Sequence, residues 1–324
     1  MDGKERMSPL TFGSLIFHGQ TNEIASLARL AESLGYDSVS TGEHIMMGAA
    51  APPTPWALTA LAIAAGATER VKLVSSVLLL PLHHPVVLAK EMAVLDAASN
   101  GRLVVGIGVG GEFPQEFDAV GVPLKQRGSR ADETLDIVRR LWSEDNVRYQ
   151  GKYFQLNGVT IRPRPKQQPG PPIWVAGRKE AAMRRAVRFG SGWFPYLYSA
   201  ARYRESVASV KELARQQGVS MDGFTWGLHI MCVAAPSADE AKQVVHQYLS
   251  GRYTSPERTD EFVRTTCATG TPDAIIAQVQ EFVKAGVRHV NFSWTGDGAV
   301  ARRSMELVGR EVLPALRSMR IPEA

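Results

Sequence analysis

"LAESLGYDSVSTGEHI", residues 30–45, sets the reading of this chain. A helical apolar repeat ends at Gly35, a short strand follows, and the strand delivers an acid and an imidazole, Glu43 and His44, at its far end. Glycine suits the left-handed position that closes a helix. The same order of helix end, glycine and short apolar strand recurs in "AAGATERVKLVSSVLLL", "AASNGRLVVGIGVG", "RFGSGWFPY" and "KAGVRHVNFSW". Strands that are apolar at consecutive positions are those buried on both faces of a parallel sheet.

The intervening segments read as helices. Ile24, Leu27, Ala28, Ala31 and Leu34 share one face at helical spacing, as do Ile275, Ile276, Val279, Phe282 and Val283. Thr271 is the expected N-cap of the second helix, with Pro272 at its first position. Strands are expected at roughly 11–17, 37–42, 71–80, 103–109, 172–176, 192–195, 224–234 and 287–294, each followed by a helix. Eight such units with right-handed crossovers close into a (βα)8 TIM barrel, an α/β fold of one domain over residues 1–324. An open doubly wound sheet is the runner-up, but the first strand-to-helix turn, "FHGQTNE", has no GxGxxG. Two stretches interrupt the repeat. Residues 143–172 read as a small hairpin and a proline-rich approach to the fifth strand. Residues 250–271 read as a polar insertion, a surface loop in preference to a lid.

Composition narrows the function. With 44% hydrophobic and 21% charged residues among 324, the chain is of ordinary globular type. The formal charge of +5 comes from scattered Lys and Arg without a basic run, which argues against nucleic-acid binding. No run of 18 apolar residues would span a membrane, and "MDGKERMSPL" lacks the apolar core of a signal peptide. Two cysteines without CxxC fit a reduced compartment, so a cytoplasmic protein is expected. No HxH ends a strand and no HExxH exists, so no metal site is expected and a metal-dependent barrel hydrolase is a minority reading. His83 and His84 read as a loop or helix start, and His229 and His289 as hydrogen-bonded core residues.

In such a barrel the C-terminal strand ends carry the site. They supply His18 after strand one, Glu43 and His44 after strand two, Ser76 and Val77 in strand three, and Gly110, Gly111 and Glu112 after strand four. Ala176, Gly177 and Arg178 follow strand five. The bare "GVGGE" backbone admits a flat ring, and "AGRKE" opens a helix whose free N–H groups, with Arg178, suit a phosphate. Phe17, Trp193, Phe194 and Trp294 at strand ends suggest an apolar pocket mouth, which core packing explains equally well, and His18, Trp193 and Trp294 are the substrate-facing expectations.

At these residues the chain resembles the luciferase-like flavin and deazaflavin oxidoreductases, and most of all the actinobacterial branch that uses coenzyme F420. "LAESLGYDSVSTGEHI", "RVKLVSSVLLLPLHHPVVLAKEMAVLDAASNGRLVVGIGVGGEFPQEFDAVGVP", "RGSRADETLDIVRRLW" and "PPIWVAGRKEAAMRRAVRFGSGWFP" carry the resemblance across most of the sequence. It implies a cofactor at the strands' C-terminal ends, with Glu43 and His44 beside the deazaflavin, a non-prolyl cis peptide at Ser76–Val77 behind the ring, Glu112 after the glycines, and the phosphate at Ala176, Gly177 and Arg178. It also implies hydride transfer to or from a small organic substrate, with His44 as the proton-transfer group, Glu43 to orient it and Glu112 as the alternative acid. By analogy with the family, the chain is expected to form a homodimer. The sequence departs from the sugar-phosphate dehydrogenases of that branch: Gly48 stands where they carry an aromatic residue, and their phosphate-holding lysines have no counterpart. An FMN-dependent monooxygenase of the same fold is the alternative, and a catalytically silent cofactor-binding protein a further one.

Overall fold

The computed structural model describes residues 9–17, 20–46, 54–249 and 256–319. The barrel strands are β1 (Thr11–Leu15), β2 (Ser38–Thr41), β3 (Lys72–Ser75), β4 (Leu103–Gly108), β5 (Ile173–Val175), β6 (Gly192–Trp193), β7 (Thr225–Ala234) and β8 (His289–Trp294). Every neighbouring pair is parallel, and the ring closes through β7 on β8 and β8 on β1, where Phe12 pairs with Val290. This is the expected (βα)8 barrel. Its helices are α1 (Ile24–Ser33), α2 (Ala57–Ala67), α3 (Pro85–Ala98), α4 (Arg127–Ser143), α5 (Glu180–Phe189), α6 (Ala200–Gln217), α7 (Ala238–Leu249) and α8 (Gly298–Leu307). Between β7 and β8 a further helix, Pro272–Lys284, starts on the Thr271 hydroxyl, which accepts from the Ala274 N–H.

The glycine reading holds at Gly35, Gly101 and Gly286, whose φ values are 84°, 80° and 109°. It fails at Gly66, which lies inside α2, and at Gly190, whose φ of −89° is ordinary extended backbone. The stretch expected as one strand over 71–80 is two. After β3 the chain turns through a cis Ser76–Val77 bond, and Leu78–Leu79 then pairs with Ile107–Gly108 of β4.

The hairpin within 143–172 is present, Val147–Gln150 antiparallel to Gln155–Val159. The second excursion is a correction. Residues 250–255 lie outside the described residues, but Pro256–Thr266 is a helix and Cys267–Gly270 a strand, parallel to the end of β7. That helix has a short apolar stripe, Phe262 and Val263, which packs on Val233, Ala241, Val245 and Leu249. Two apolar residues in a polar segment are too few to show a period.

Alternation sorts the strand side chains. Phe12, Val39, Leu73, Val105, Trp193, Leu228, Val290, Phe292 and Trp294 belong to the main core between strands and helices. The inner face differs by side. Val74, Val104, Trp174 and Phe194 form a dry cluster, whereas Gly13, Ser38, Ser40, His289 and Asn291 make the opposite wall small and polar. Both barrel imidazoles press on the aromatic side, Trp174 to His289 at 4.8 Å and Phe194 to His229 at 6.0 Å between ring centroids.

Burial pushes the His229 imidazole down to about 4 and the His289 imidazole to about 3, the latter helped by His229. The unfolded chain, with histidines near 6.5, therefore binds more protons than the native chain between pH 4 and 6.5, so stability falls as pH drops through that window. The expected loss at pH 5 relative to pH 7 is about 2 kcal/mol per imidazole. Urea unfolding at the two pH values measures it; equal stability would contradict the neutral, buried assignment.

Candidate active site

The strand ends of β2, β3 and β4 are fitted together by glycines. A Cβ on Gly42 would lie 2.8 Å from the Ser76 carbonyl oxygen, one on Gly106 2.0 Å from that of Ser75, and one on Gly108 2.9 Å from a Val77 methyl. The Ser76–Val77 turn thus fills space that side chains would otherwise take. Two buried polar atoms beside it, Ser76 Oγ and Glu43 Oε2, have no hydrogen-bond partner among the described residues.

Glu43 and His44 are adjacent, but each pairs elsewhere. Glu43 is buried, and its Oε1 accepts from the Leu79 N–H at 2.8 Å and from His83 Nε2 at 2.6 Å. The His83 ring in turn packs 4.8 Å from Trp56. His44 Nδ1 faces Glu116, 3.1 Å from Oε2, while Glu116 Oε1 accepts from the Ile45 N–H at 2.6 Å. Glu116, fully buried, is therefore the acid that orients His44, and the expectation that Glu43 does so is corrected. Geometry explains it: a strand end sends successive side chains in opposite directions. With Nδ1–H bound to a carboxylate, His44 keeps Nε2 for proton exchange. Phe113 stands edge-on to its ring at 5.0 Å.

The loops after β4, β5 and β6 meet beside this pair. Gly110 and Gly111 hold φ of 63° and 114°, which let the chain turn back between Phe117 and Arg127. Glu112 follows, exposed, and accepts from the Tyr196 hydroxyl. The Arg178 guanidinium lies over the Tyr196 ring, 5.0 Å from its centroid. Burial and the Glu112 carboxylate push the Tyr196 phenol up to about 12, so it stays a donor at neutral pH. Ala176 and Gly177 are half-buried at the end of β5, just before α5 begins at Glu180.

The structure thus joins Glu43, His44, Ser76, Val77, Gly110, Gly111, Glu112 and Arg178 through contacts running from β2 round to β6. It does not bring the tryptophans there. Trp193 is fully buried among Tyr198 and Tyr203, its indole N–H donating to the Gly177 carbonyl at 3.0 Å. Trp294 stacks on Phe292 and donates to Ser14 Oγ. Both point outward from the ring, toward the helices, and are corrected to core residues. His18 and Gly48 lie outside the described residues. Sequence reasoning missed three groups: His83, Glu116 and Tyr196. Glu116 had a signal, since Pro114 opens a short helix, Pro114–Ala119, and puts this acid in its first turn.

The barrel and this crown of side chains define an oxidoreductase built for a planar cofactor. Residues 10–289 match the family model of the luciferase-like monooxygenases, and the chain belongs to that family. It is 29% identical over 317 residues to an F420-dependent glucose-6-phosphate dehydrogenase of Intrasporangium calvum, covering 89% of this chain and 93% of the relative. Among solved structures it resembles the monooxygenase RslO1 of Streptomyces bottropensis, at 28% identity and a TM-score of 0.81, over 94% of this chain and 99% of the other. An F420-dependent secondary alcohol dehydrogenase in complex with an F420-acetone adduct shares the fold, with a TM-score of 0.83 at 19% identity, over 96% and 100% of the two chains. No helix among the described residues is long and apolar enough to cross a membrane, and those residues contain no group of three or more His, Cys, Asp or Glu placed to hold a metal.

Glu116→Gln keeps the shape but removes the charge that fixes His44. Steady-state assays should show turnover lowered on the order of 10²-fold with unchanged thermal stability; turnover within twofold of the parent would remove Glu116 from the machinery.

Proposed function

We propose that this protein is an F420-dependent oxidoreductase that moves a hydride between the deazaflavin and a small organic substrate. The observation that carries the reading is the glycine-fitted Ser76–Val77 turn flanked by unpartnered Ser76 Oγ and Glu43 Oε2. These features fit a flat ring with polar edges, and the near full-length likeness to an F420-dependent dehydrogenase supports the choice. When bound, F420 supplies a hydride carrier at carbon C5 that reacts poorly with oxygen.

Each residue then has a task. Val77 and Ser76 would back the ring, Glu43 and His44 would flank it, Gly110 and Gly111 would border it without bulk, and Glu112 would stand at its edge. Gly177 and Arg178 would hold the phosphate through their backbone N–H groups and the Arg178 guanidinium, with Ala176 at its edge, since the Ala176 N–H donates to the Ile107 carbonyl at 2.8 Å. His44, oriented by Glu116, holds or gives the proton that accompanies hydride transfer, and Glu112 is the alternative acid. Gly48 in place of an aromatic residue, and the missing lysine counterparts, argue against a sugar phosphate as substrate. An FMN-dependent monooxygenase is the second reading, supported by the 28% identity to RslO1.

We also propose a cytoplasmic homodimer. Cys232 and Cys267 are both free thiols. The outward sides of α2 and α3 carry exposed Ile63, Val87 and Val94, and an all-round apolar helix such as α2 is ordinarily covered.

Separate fluorescence titrations with F420 and with FMN test the cofactor, F420 being the expected ligand; binding of FMN alone would establish the second reading. His44→Ala should lower hydride transfer in single-turnover assays on the order of 10²-fold and change F420 affinity less than about threefold. Equal losses in both would reduce His44 to a binding residue.

A further inference from the structure

The polar wall of the bore holds a hydrogen-bond chain that none of the roles above uses. At its lower end Thr11 Oγ lies 2.9 Å from His289 Nδ1 and 3.3 Å from the Arg288 carbonyl, and with its proton directed to that carbonyl the hydroxyl oxygen accepts from His289 Nδ1–H. That leaves His289 Nε2 as a bare acceptor. At its upper end Asn291 Nδ2 donates to His229 Nδ1 at 2.9 Å, which leaves Asn291 Oδ1 as an acceptor. His289 Nε2, Asn291 Oδ1 and Ser38 Oγ are buried without a partner among the described residues. All three face one place. They lie 3.2, 2.4 and 2.5 Å from where a Gly13 Cβ would stand. Buried polar atoms are almost always paired, with protein or with ordered water. Gly13, Ser38 and Ser40 also leave this wall short of the bulk that usually fills a barrel.

Two acceptors and one hydroxyl donor converging over Gly13 match the bonding capacity of one water: it would donate to His289 Nε2 and Asn291 Oδ1 and accept from Ser38 Oγ–H. The chain then has one consistent set of protons from Thr11 to His229. Its end matters most. With Nδ1 occupied as an acceptor, His229 carries its proton on Nε2. His229 as a residue is half-buried, and it bridges to Tyr196, whose hydroxyl reaches Glu112. His229 therefore sits level with the mouth of the barrel.

We propose that His229 is a further site residue, a neutral N–H donor to a carbonyl, hydroxyl or other acceptor oxygen of the bound molecule, with its tautomer fixed by Asn291 and a buried water over Gly13. Both imidazoles stay neutral because burial holds His229 near 4 and His289 near 3. The role of His229 toward a ligand rests on the proposed function; its tautomer and the water do not.

Nitrogen-15 spectra of histidine-labelled protein, with the signal identified by its loss in His229→Gln, read the tautomer directly. The expected wild-type state is Nε2–H, and Asn291→Asp, whose carboxylate only accepts, should reverse it to Nδ1–H. A wild-type Nδ1–H tautomer would overturn the proposal, whether or not the variant folds. A high-resolution crystal structure of the wild type should show a density peak within hydrogen-bond distance of Ser38 Oγ, Asn291 Oδ1 and His289 Nε2. A dry gap with Ser38 and Asn291 bonded to each other would remove the water. On adding F420, the His229 Nε2–H resonance should shift. An unshifted resonance under saturating F420 would overturn the donor role toward the cofactor and leave the tautomer standing. Failure of F420 to bind at all would count against the proposed function alone.

Discussion

The site depends on a steric constraint: the chain around Ser76–Val77 needs three neighbours without side chains. Gly42, just past the end of β2, and Gly106 and Gly108 of β4 lie on either side of β3, and a Cβ on each would meet residues 75–77. Interiors are close-packed, so a methyl group at any of them must move backbone or Val77. The turn in turn decides where Leu79 lies, and the Leu79 N–H is one of the two donors that fix Glu43. Glu43, His83 and the floor are therefore set together.

A second layer of control is electrostatic and runs outward from the floor. Glu43 and His44 leave the same strand end in opposite directions, and each meets a group of complementary character, His83 within and Glu116 at the edge. Phe113 and Glu112 continue from Glu116's helix to Tyr196 and Arg178. Loops from five strands are tied by side chains into one rim, which is how a barrel with strands as short as Gly192–Trp193 can hold a precise geometry at its mouth.

Much of this was legible in the sequence. Parallel strands announce themselves as apolar runs, and the helix faces of α1 and Pro272–Lys284 follow from spacing alone. Barrel topology is also what gathers the ends of β2 to β6, with Glu43, His44, Ser76, Glu112 and Arg178, at one rim. The partners were not. Pairing of His83 with Glu43 joins residues 40 apart in sequence and that of Glu116 with His44 residues 72 apart, and no local pattern encodes such contacts. Trp193 and Trp294 were misplaced for a related reason. On a strand of two or six residues, a one-residue shift in phase moves a side chain from the bore to the helix layer. The short apolar stripe of Pro256–Thr266 gave no period to read.

The most direct test of the account adds one methyl group to the floor. Gly108→Ala places a carbon 2.9 Å from a Val77 methyl, whereas Gly66→Ala, in α2, meets nothing within 4 Å. F420 titrations should show affinity reduced at least about tenfold in Gly108→Ala, equivalent to about 1.4 kcal/mol, and unchanged in Gly66→Ala. Equal, unaltered affinity in both proteins would mean that the Ser76–Val77 turn is not the surface on which the cofactor rests.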